Sequence, residues 1–369
     1  MINLVYLVPS LKNVGPTQQL YYIIKFLDRK IFNITLITFS NKNFDEELQK
    51  FEKLNLKIIQ LNMHSFYGLL FGFVKIKYVL KEVNPDIVHT HLFRADLISG
   101  FCLKKYKRVA TVRGELTSSD HYIQKFGYLL GTVYTKLHTL ALKKIYNVVS
   151  ISNAVKNDLE KNGIESTLIH NGIDLNRYKV YNNTQKEDLR QQFGIAHDKK
   201  VFISIGSLIK LKRPNILIDA FLKADVDNSI LLVIGLGDMY DSLSFEYRGF
   251  DNIKFIGFSK EIDSYLGLSD YFLSSSSTEG LPNTVLEASA TGIPCILSNI
   301  EPHKEILPID KKSEFLFELD NVEDFVTKIK DILKKDYCGI SSEFRQNIEI
   351  FFDAGLINEK YQKLYMELV

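Results

Sequence analysis

Two carboxylates eight residues apart flank the start of a helix in the run Ser274-Ser275-Ser276-Ser277-Thr278-Glu279-Gly280-Leu281-Pro282-Asn283-Thr284-Val285-Leu286-Glu287-Ala288. The run follows an apolar, strand-like stretch at 271–274, and Pro282 suits a first helical turn, where a missing amide hydrogen is no loss. The free amides of Asn283, Thr284 and Val285 then form an anion site. Glu279, Gly280 and Leu281 lie in the loop before the helix. A carboxylate there can accept hydrogen bonds from sugar hydroxyls, and Glu287, about two turns into the helix, can hold a ribose diol. Acidic residues near a helix start are also favoured by the helix dipole alone. The setting adds the specificity: a Ser-rich loop, then Glu-Gly-Leu-Pro, then an Ala-rich helix ending in Thr291-Gly292-Ile293-Pro294.

Other residues fit the same chemistry. Lys212 closes the run Gly206-Ser207-Leu208-Ile209-Lys210-Leu211-Lys212 after a strand pattern. A fixed ammonium and helix-start amides can stabilise negative charge on phosphate oxygens. Gly15 and Gly235 permit tight turns and close backbone approach. Arg113, in Thr111-Val112-Arg113-Gly114-Glu115, can fork toward a phosphate or carboxylate, or pair with Glu115 in its own loop.

These groups need a scaffold, and the hydrophobic rhythm supplies one. Strand patterns fall at 2–8, 34–39, 56–60, 86–89, 108–112 and 147–151, with helical patterns at 17–27, 66–83 and 122–145. The rhythm restarts with strands at 201–205, 230–234, 253–256, 271–274 and 294–297. Strands alternating with longer helices imply parallel sheets covered on both faces. Two such series give an α/β protein of two Rossmann-like domains with a cleft between them, ligands binding beyond the carboxyl ends of the strands. The break is placed in the polar stretch 182–200. The last 30 residues read as helix and suit a tail packing on the first domain, so the domains are drawn as 1–174, 175–352 and a closing helix at 353–369.

Composition narrows the class. The chain has 369 residues, 46% hydrophobic and 24% charged, an ordinary globular mixture. Three scattered cysteines favour a reduced, cytoplasmic protein over a disulfide or zinc framework. The N-terminus reads as a buried strand, and no apolar run reaches the ~20 residues that span a bilayer. Residues 1–175 carry 23 Lys and Arg against 14 Asp and Glu, whereas 176–369 carry 23 against 30. The first half therefore suits an anionic partner, such as the inner leaflet of a plasma membrane on which the protein lies peripherally. The helical pattern at 122–144 is read chiefly as an amphipathic helix covering the sheet.

The run 274–288 resembles the EX7E motif of the retaining group 1 glycosyltransferases, family 4, of the GT-B fold. The resemblance covers nearly the whole chain. Asn13-Val14-Gly15-Pro16-Thr17 resembles the family's glycine loop, Val88-His89-Thr90-His91 its "vHaH" strand, and Ser150-Ile151-Ser152-Asn153-Ala154-Val155 its "vSxxv". His170-Asn171-Gly172-Ile173-Asp174 resembles "xNGvD", 206–212 resembles "GRLxxxKg", and Ile234-Gly235-Leu236-Gly237 the "vGxG" turn. The chain departs at Ser207, where the family usually has Arg, at Arg113, where it often has His, and at Pro16, where a second Gly is common.

The resemblance implies a GT-B enzyme of the hexosyl-transferring kind that moves a sugar from a nucleotide-sugar donor, a UDP-sugar, with retention. Lys212 would contact the diphosphate, Glu279 the sugar and Glu287 the ribose. The catalytic set is then Glu279, Lys212 and Arg113. The donor-binding set is Gly15, Ser207, Lys212, Gly235, Gly280, Leu281, Asn283, Thr284 and Glu287. The acceptor would be a glycan or lipid-linked saccharide of a bacterial surface polysaccharide. No metal, no other cofactor and no nucleic acid is expected. Asp225-Val226-Asp227 is read as a solvated loop, and His89 and His91 are expected to face opposite ways, which makes them poor joint ligands. Two alternatives stay open: a nucleotide-sugar 2-epimerase of the same fold, and a nucleotide-sugar-binding protein with a worn site.

Overall fold

Alternate side chains of the first strand enter two different cores, which is what a parallel sheet buried on both faces requires. Leu4, Tyr6 and Val8 join one cluster, while Val5 and Leu7 join the other. The computed structural model describes residues 1–40, 45–63, 72–116, 122–123, 127–308 and 311–369. They form two compact units, Met1–Gly172 with Ala354–Val369, and Ile173–Asp353.

The first unit carries β1 (Ile2–Val8), β2 (Phe32–Thr38), β3 (Lys57–Gln60), β4 (Ile87–His91), β5 (Lys107–Val112), β6 (Asn147–Ser150) and β7 (Thr167–Leu168). They pair in the order β3-β2-β1-β4-β5-β6-β7, parallel throughout. The second unit repeats the plan with β8 (Lys200–Ile205), β9 (Ser229–Ile234), β10 (Ile253–Gly257), β11 (Tyr271–Ser274), β12 (Cys295–Ser298) and β13 (Leu316–Phe317). Its order is β10-β9-β8-β11-β12-β13, again parallel. In each sheet the strand order reverses once, between β1 and β4 and between β8 and β11. Loops leaving these strands diverge there and open a crevice.

The polar stretch 182–200 is no simple linker. It holds the helix Asn183–Gln192, started by a reciprocal capping box between Asn182 and Gln185, which satisfies two otherwise orphaned amides. The units part earlier, at Gly172 and Ile173. The helical pattern at 66–83 is described only from residue 72, as Gly72–Val83; the remainder, and residues 124–126 of the pattern at 122–145, lie outside the described residues. The sheets also gain β7 and β13, two residues each.

Helix Ala354–Leu368 belongs to the first unit. Its Ile357, Tyr361 and Tyr365 recur every four residues, hence on one face, and complete the core beside Leu4 and Tyr6. The Tyr365 hydroxyl lies 3.0 Å from that of Tyr6 and 2.7 Å from His89 Nδ1. His89 and His91 do not face opposite ways. A period of two returns residues i and i+2 to the same side of a strand, and the imidazole centroids lie 4.4 Å apart. We expect Tyr365→Phe to lower the unfolding free energy by ~1–3 kcal/mol, because a buried imidazole nitrogen and a tyrosine hydroxyl both lose their partner. An unchanged urea midpoint would show that the closing helix is not held through this hydroxyl.

Candidate functional site

The crevice of the second unit is built by two loops that grip each other. Gly206 and Leu208 after β8 donate to the carbonyls of Ile234, which ends β9, and Leu236, which follows it, at 3.0 Å each. Gly235 has φ +138°, and a Cβ on it would run into the Gly206 carbonyl oxygen. The glycine is therefore required by this loop packing. Ser207 itself stays exposed. The chain then tightens into one 3-10 turn, Lys210–Lys212.

The serine run after β11 holds that turn. Ser275 Oγ donates to the carbonyls of Lys212 and Arg213, at 2.9 and 2.8 Å. The Ser277 amide and hydroxyl both reach the Leu211 carbonyl, at 2.8 and 3.0 Å. Lys212 is thereby fixed against Glu279, with which it forms a hydrogen-bonded ion pair. Ser276 Oγ donates to the same Glu279 oxygen at 2.8 Å. Burial pushes the Glu279 carboxyl up, but the Lys212 ammonium and these hydrogen bonds outweigh it and hold it below its ordinary range. Glu279 is thus an anion at neutral pH. Arg213, next to Lys212, is paired with Asp320.

A further chain of contacts reaches behind the carboxylate. Ser298 Oγ, at the end of β12, donates to the Ser276 carbonyl at 2.5 Å, and His303 Nδ1 lies 2.9 Å from the Ser298 carbonyl. Burial drives the His303 pKa down to about 4, so the ring is neutral. Its Nε2 is buried with no partner among the described residues. Neither His303 nor Ser276 was legible from spacing, since one sits on a short helix and the other in a run of serines.

Helix Asn283–Ala290 starts at Pro282 with no side-chain cap, and the backbone amides of a helix start suit an anion. Gly280, Asn283 and Thr284 are half-buried and Leu281 is buried. Glu287 is only 8% exposed. Burial raises its pKa to about 7, against the opposing hydrogen bond from Tyr178 and the nearby Arg177. Tyr178 escaped the sequence reading because its contact with Glu287 is purely tertiary. Lys212, Glu279, Gly280, Leu281, Asn283, Thr284 and Glu287 therefore line one end of one sheet, with Ser207 and Gly235 in the neighbouring loops. Asp225 and Asp227 are exposed in the turn that enters β9, at the opposite edge of that sheet.

Gly15 and Arg113 belong to the first unit. Gly15 is exposed at the start of helix Gly15–Phe26, with Pro16 in the first turn. Arg113 follows β5 and forks to Asn171 Oδ1 at 3.0 Å and His91 Nδ1 at 3.2 Å. Its Nε and His91 Nε2 are buried without partners among the described residues. Burial depresses the pKa of Arg113, and burial together with the neighbouring Arg113 depresses that of His89 well below the ordinary imidazole value.

Residues 15–177 match the family described as Glycosyltransferase Family 4, and residues 185–350 match Glycosyl transferases group 1. The chain is a group 1 glycosyltransferase. Over 79% of its length it is 26% identical to the UDP-Gal:alpha-D-GlcNAc-diphosphoundecaprenol alpha-1,3-galactosyltransferase of Escherichia coli, covering 78% of that protein. It is also 26% identical to the capsular polysaccharide biosynthesis glycosyltransferase CapH of Staphylococcus aureus, over 99% of both chains. Among solved structures, Anabaena HepE in complex with UDP superposes with a TM-score of 0.83 at 18% identity, over 99% of this chain and 100% of that one. This group 1 glycosyltransferase accordingly has the GT-B fold.

The raised Glu287 pKa sets a pH dependence for the enzyme. In the unfolded chain this carboxyl releases its proton near 4.5, in the folded one near 7. Between those values the native state binds more protons, so stability is fully present below the lower value and falls as pH rises through the upper one. The total is on the order of 3 kcal/mol. Unfolding of the ligand-free protein from pH 4 to 8 should show this decline, and Glu287→Gln should flatten it. An identical slope in both proteins would assign the titration elsewhere.

Proposed function

We propose that this glycosyltransferase moves a sugar from a UDP-sugar to a glycan or lipid-linked saccharide acceptor, with retention and without a metal, at the cytoplasmic face of a bacterial membrane. The observation that carries the reading is the anionic Glu279 held by Lys212 and Ser276, next to the uncapped helix start at Asn283. The Lys212 ammonium and the amides face the diphosphate. As the bond from the sugar carbon to the diphosphate oxygen breaks, the electron pair leaves with the phosphate, where these donors oppose its charge. Glu279 accepts hydrogen bonds from the sugar hydroxyls and orients the ring. Paired as it is with a lysine, it serves as a ligand and not as a nucleophile. The acceptor hydroxyl attacks the same face and gives its proton to the departing phosphate. Glu287 takes the ribose diol, which favours its ionised form. The first unit takes the acceptor, and Arg113 supplies a buried cation there. The UDP in the HepE complex and the diphosphoundecaprenol acceptor of the Escherichia coli relative support these choices.

Lys212→Ala and Glu287→Ala should each weaken UDP-sugar binding at least tenfold, about 1.5–3 kcal/mol for a lost charge-assisted contact, with the melting profile of a folded protein retained. Thermal shift over a nucleotide-sugar panel reads this directly. Unchanged donor affinity in both variants removes the proposed donor site. Label from the sugar should pass to an acceptor and not to a free 2-epimer.

Chelation tests the metal statement separately. Transfer should survive EDTA, and Asp225→Asn with Asp227→Asn should keep near-parental activity. A requirement for Mn²⁺ or Mg²⁺ that the double variant abolishes would reverse the assignment of that loop.

A further inference from the structure

At the carboxyl end of the first sheet a guanidinium is held without an opposite charge. Arg113, directly after β5, is half-buried. Its Nη1 donates to Asn171 Oδ1 at 3.0 Å and its Nη2 to His91 Nδ1 at 3.2 Å. Both of those residues are buried, so they brace the guanidinium from behind. The pairing with Glu115 that its loop position allowed is not formed. The groups that favour its charge are the phenols of Tyr361 and Tyr365, and no carboxylate is among them. A charge drawn from water is costly until an anion meets it, and arginines are rarely buried unless paired.

The imidazole shows what kind of group is wanted. A guanidinium only donates hydrogen bonds, so His91 Nδ1 accepts and the ring hydrogen lies on Nε2. That Nε2 and Arg113 Nε are both buried with no partner among the described residues. Both unanswered groups are therefore N–H donors, beside a positive charge, and call for anionic oxygens. Charge balance then selects among oxyanions. Burial, with His89 and Arg113 nearby, holds the His91 pKa well below its ordinary value, so the ring is neutral and the cluster carries one positive charge. A carboxylate balances it, whereas a phosphate monoester, mostly dianionic at neutral pH, overshoots. There is room as well: a Cβ on Gly114 would meet nothing within 4 Å.

We propose that the acceptor is an acidic saccharide whose carboxylate docks on Arg113, making Arg113 a specificity-determining residue. This rests on the reading that the first unit takes the acceptor. The remaining guanidinium hydrogens hold the carboxylate as a fork, which fixes the sugar ring as well as its charge. A neutral sugar leaves the charge unanswered and is rejected for that reason.

The test uses the full chain without donor. Methyl glucuronide, methyl glucoside and inorganic phosphate are titrated at constant ionic strength, with binding read by NMR and by thermal shift. The parent should bind the glucuronide roughly tenfold or more tightly than the glucoside, and more tightly than phosphate. Arg113→Gln should abolish that preference, and Arg113→Lys, which keeps the charge but loses the fork, should retain part of it. A residue that only braced Asn171 and His91 would lower the melting midpoint on replacement and leave the preference intact. Because no donor is present, a protein that transfers no sugar should still prefer the glucuronide. Transfer to a neutral acceptor by a parent indifferent to the carboxylate would overturn this inference and leave the proposed function standing. Phosphate binding as tightly as the glucuronide, or a glucuronide preference that survives in Arg113→Gln, would overturn it too.

Discussion

A carboxylate and an ammonium largely removed from water must satisfy each other, and the second unit is arranged around that requirement at Lys212 and Glu279. Removing either partner would leave a costly uncompensated charge. Three layers hold the pair. Ser275 and Ser277 fix the carbonyls of the lysine turn, Ser276 fixes the carboxylate, and Ser298 with His303 fixes Ser276. The topology decides where this happens, because β8 and β11 are the neighbours at which the strand order reverses. The ion pair sits where the loops after these two strands are hydrogen-bonded together, with the start of helix Asn283–Ala290 beside it. A preorganised charge at the mouth of a parallel sheet is therefore the product of strand order, serine hydrogen bonds and one glycine that lets the loops meet.

Strands that are apolar on both faces announce themselves, so the core of each sheet was legible in the sequence to within a residue or two. The candidate site was legible in its motifs, since Glu279, Glu287 and Lys212 carry an ordered spacing. What escaped has physical reasons. β7 and β13 are too short for any period to show. Helix Asn183–Gln192 carries a single aliphatic side chain, Leu189, too few for a period to show, and its start is fixed by the capping box. Tyr178 and His303 act through contacts remote in sequence. The histidines of β4 were misassigned because strict alternation was applied one residue out of step. The pattern at 122–144 was read chiefly as covering the sheet, yet helix Tyr128–Leu142 leaves Leu129, Val133 and Leu140 exposed, because periodicity shows that a helix has an apolar side, not which way that side faces.

The two units share a strand order but not a charge plan. In the first, the end of β5 carries a buried arginine bound to an amide and a neutral imidazole. In the second, the loops after β8 and β11 carry a lysine and the carboxylate it neutralises. The same architecture thus offers a net cation in one place and a compensated pair in the other, which is how a repeated fold comes to bind chemically different groups.

The closing helix has a consequence for the order of assembly. Tyr361 and Tyr365 complete a core whose first strand is the second to eighth residue of the same unit, yet the whole second unit is interposed between them in the chain. During synthesis, Ile173–Asp353 emerges with all its strands and can consolidate by itself, while the earlier unit waits with Tyr6 and His89 uncovered. Domains that fold as they emerge normally finish from the N-terminus. Here the unit begun first is finished last, and part of its apolar surface stays uncovered for as long as the second unit takes to be made.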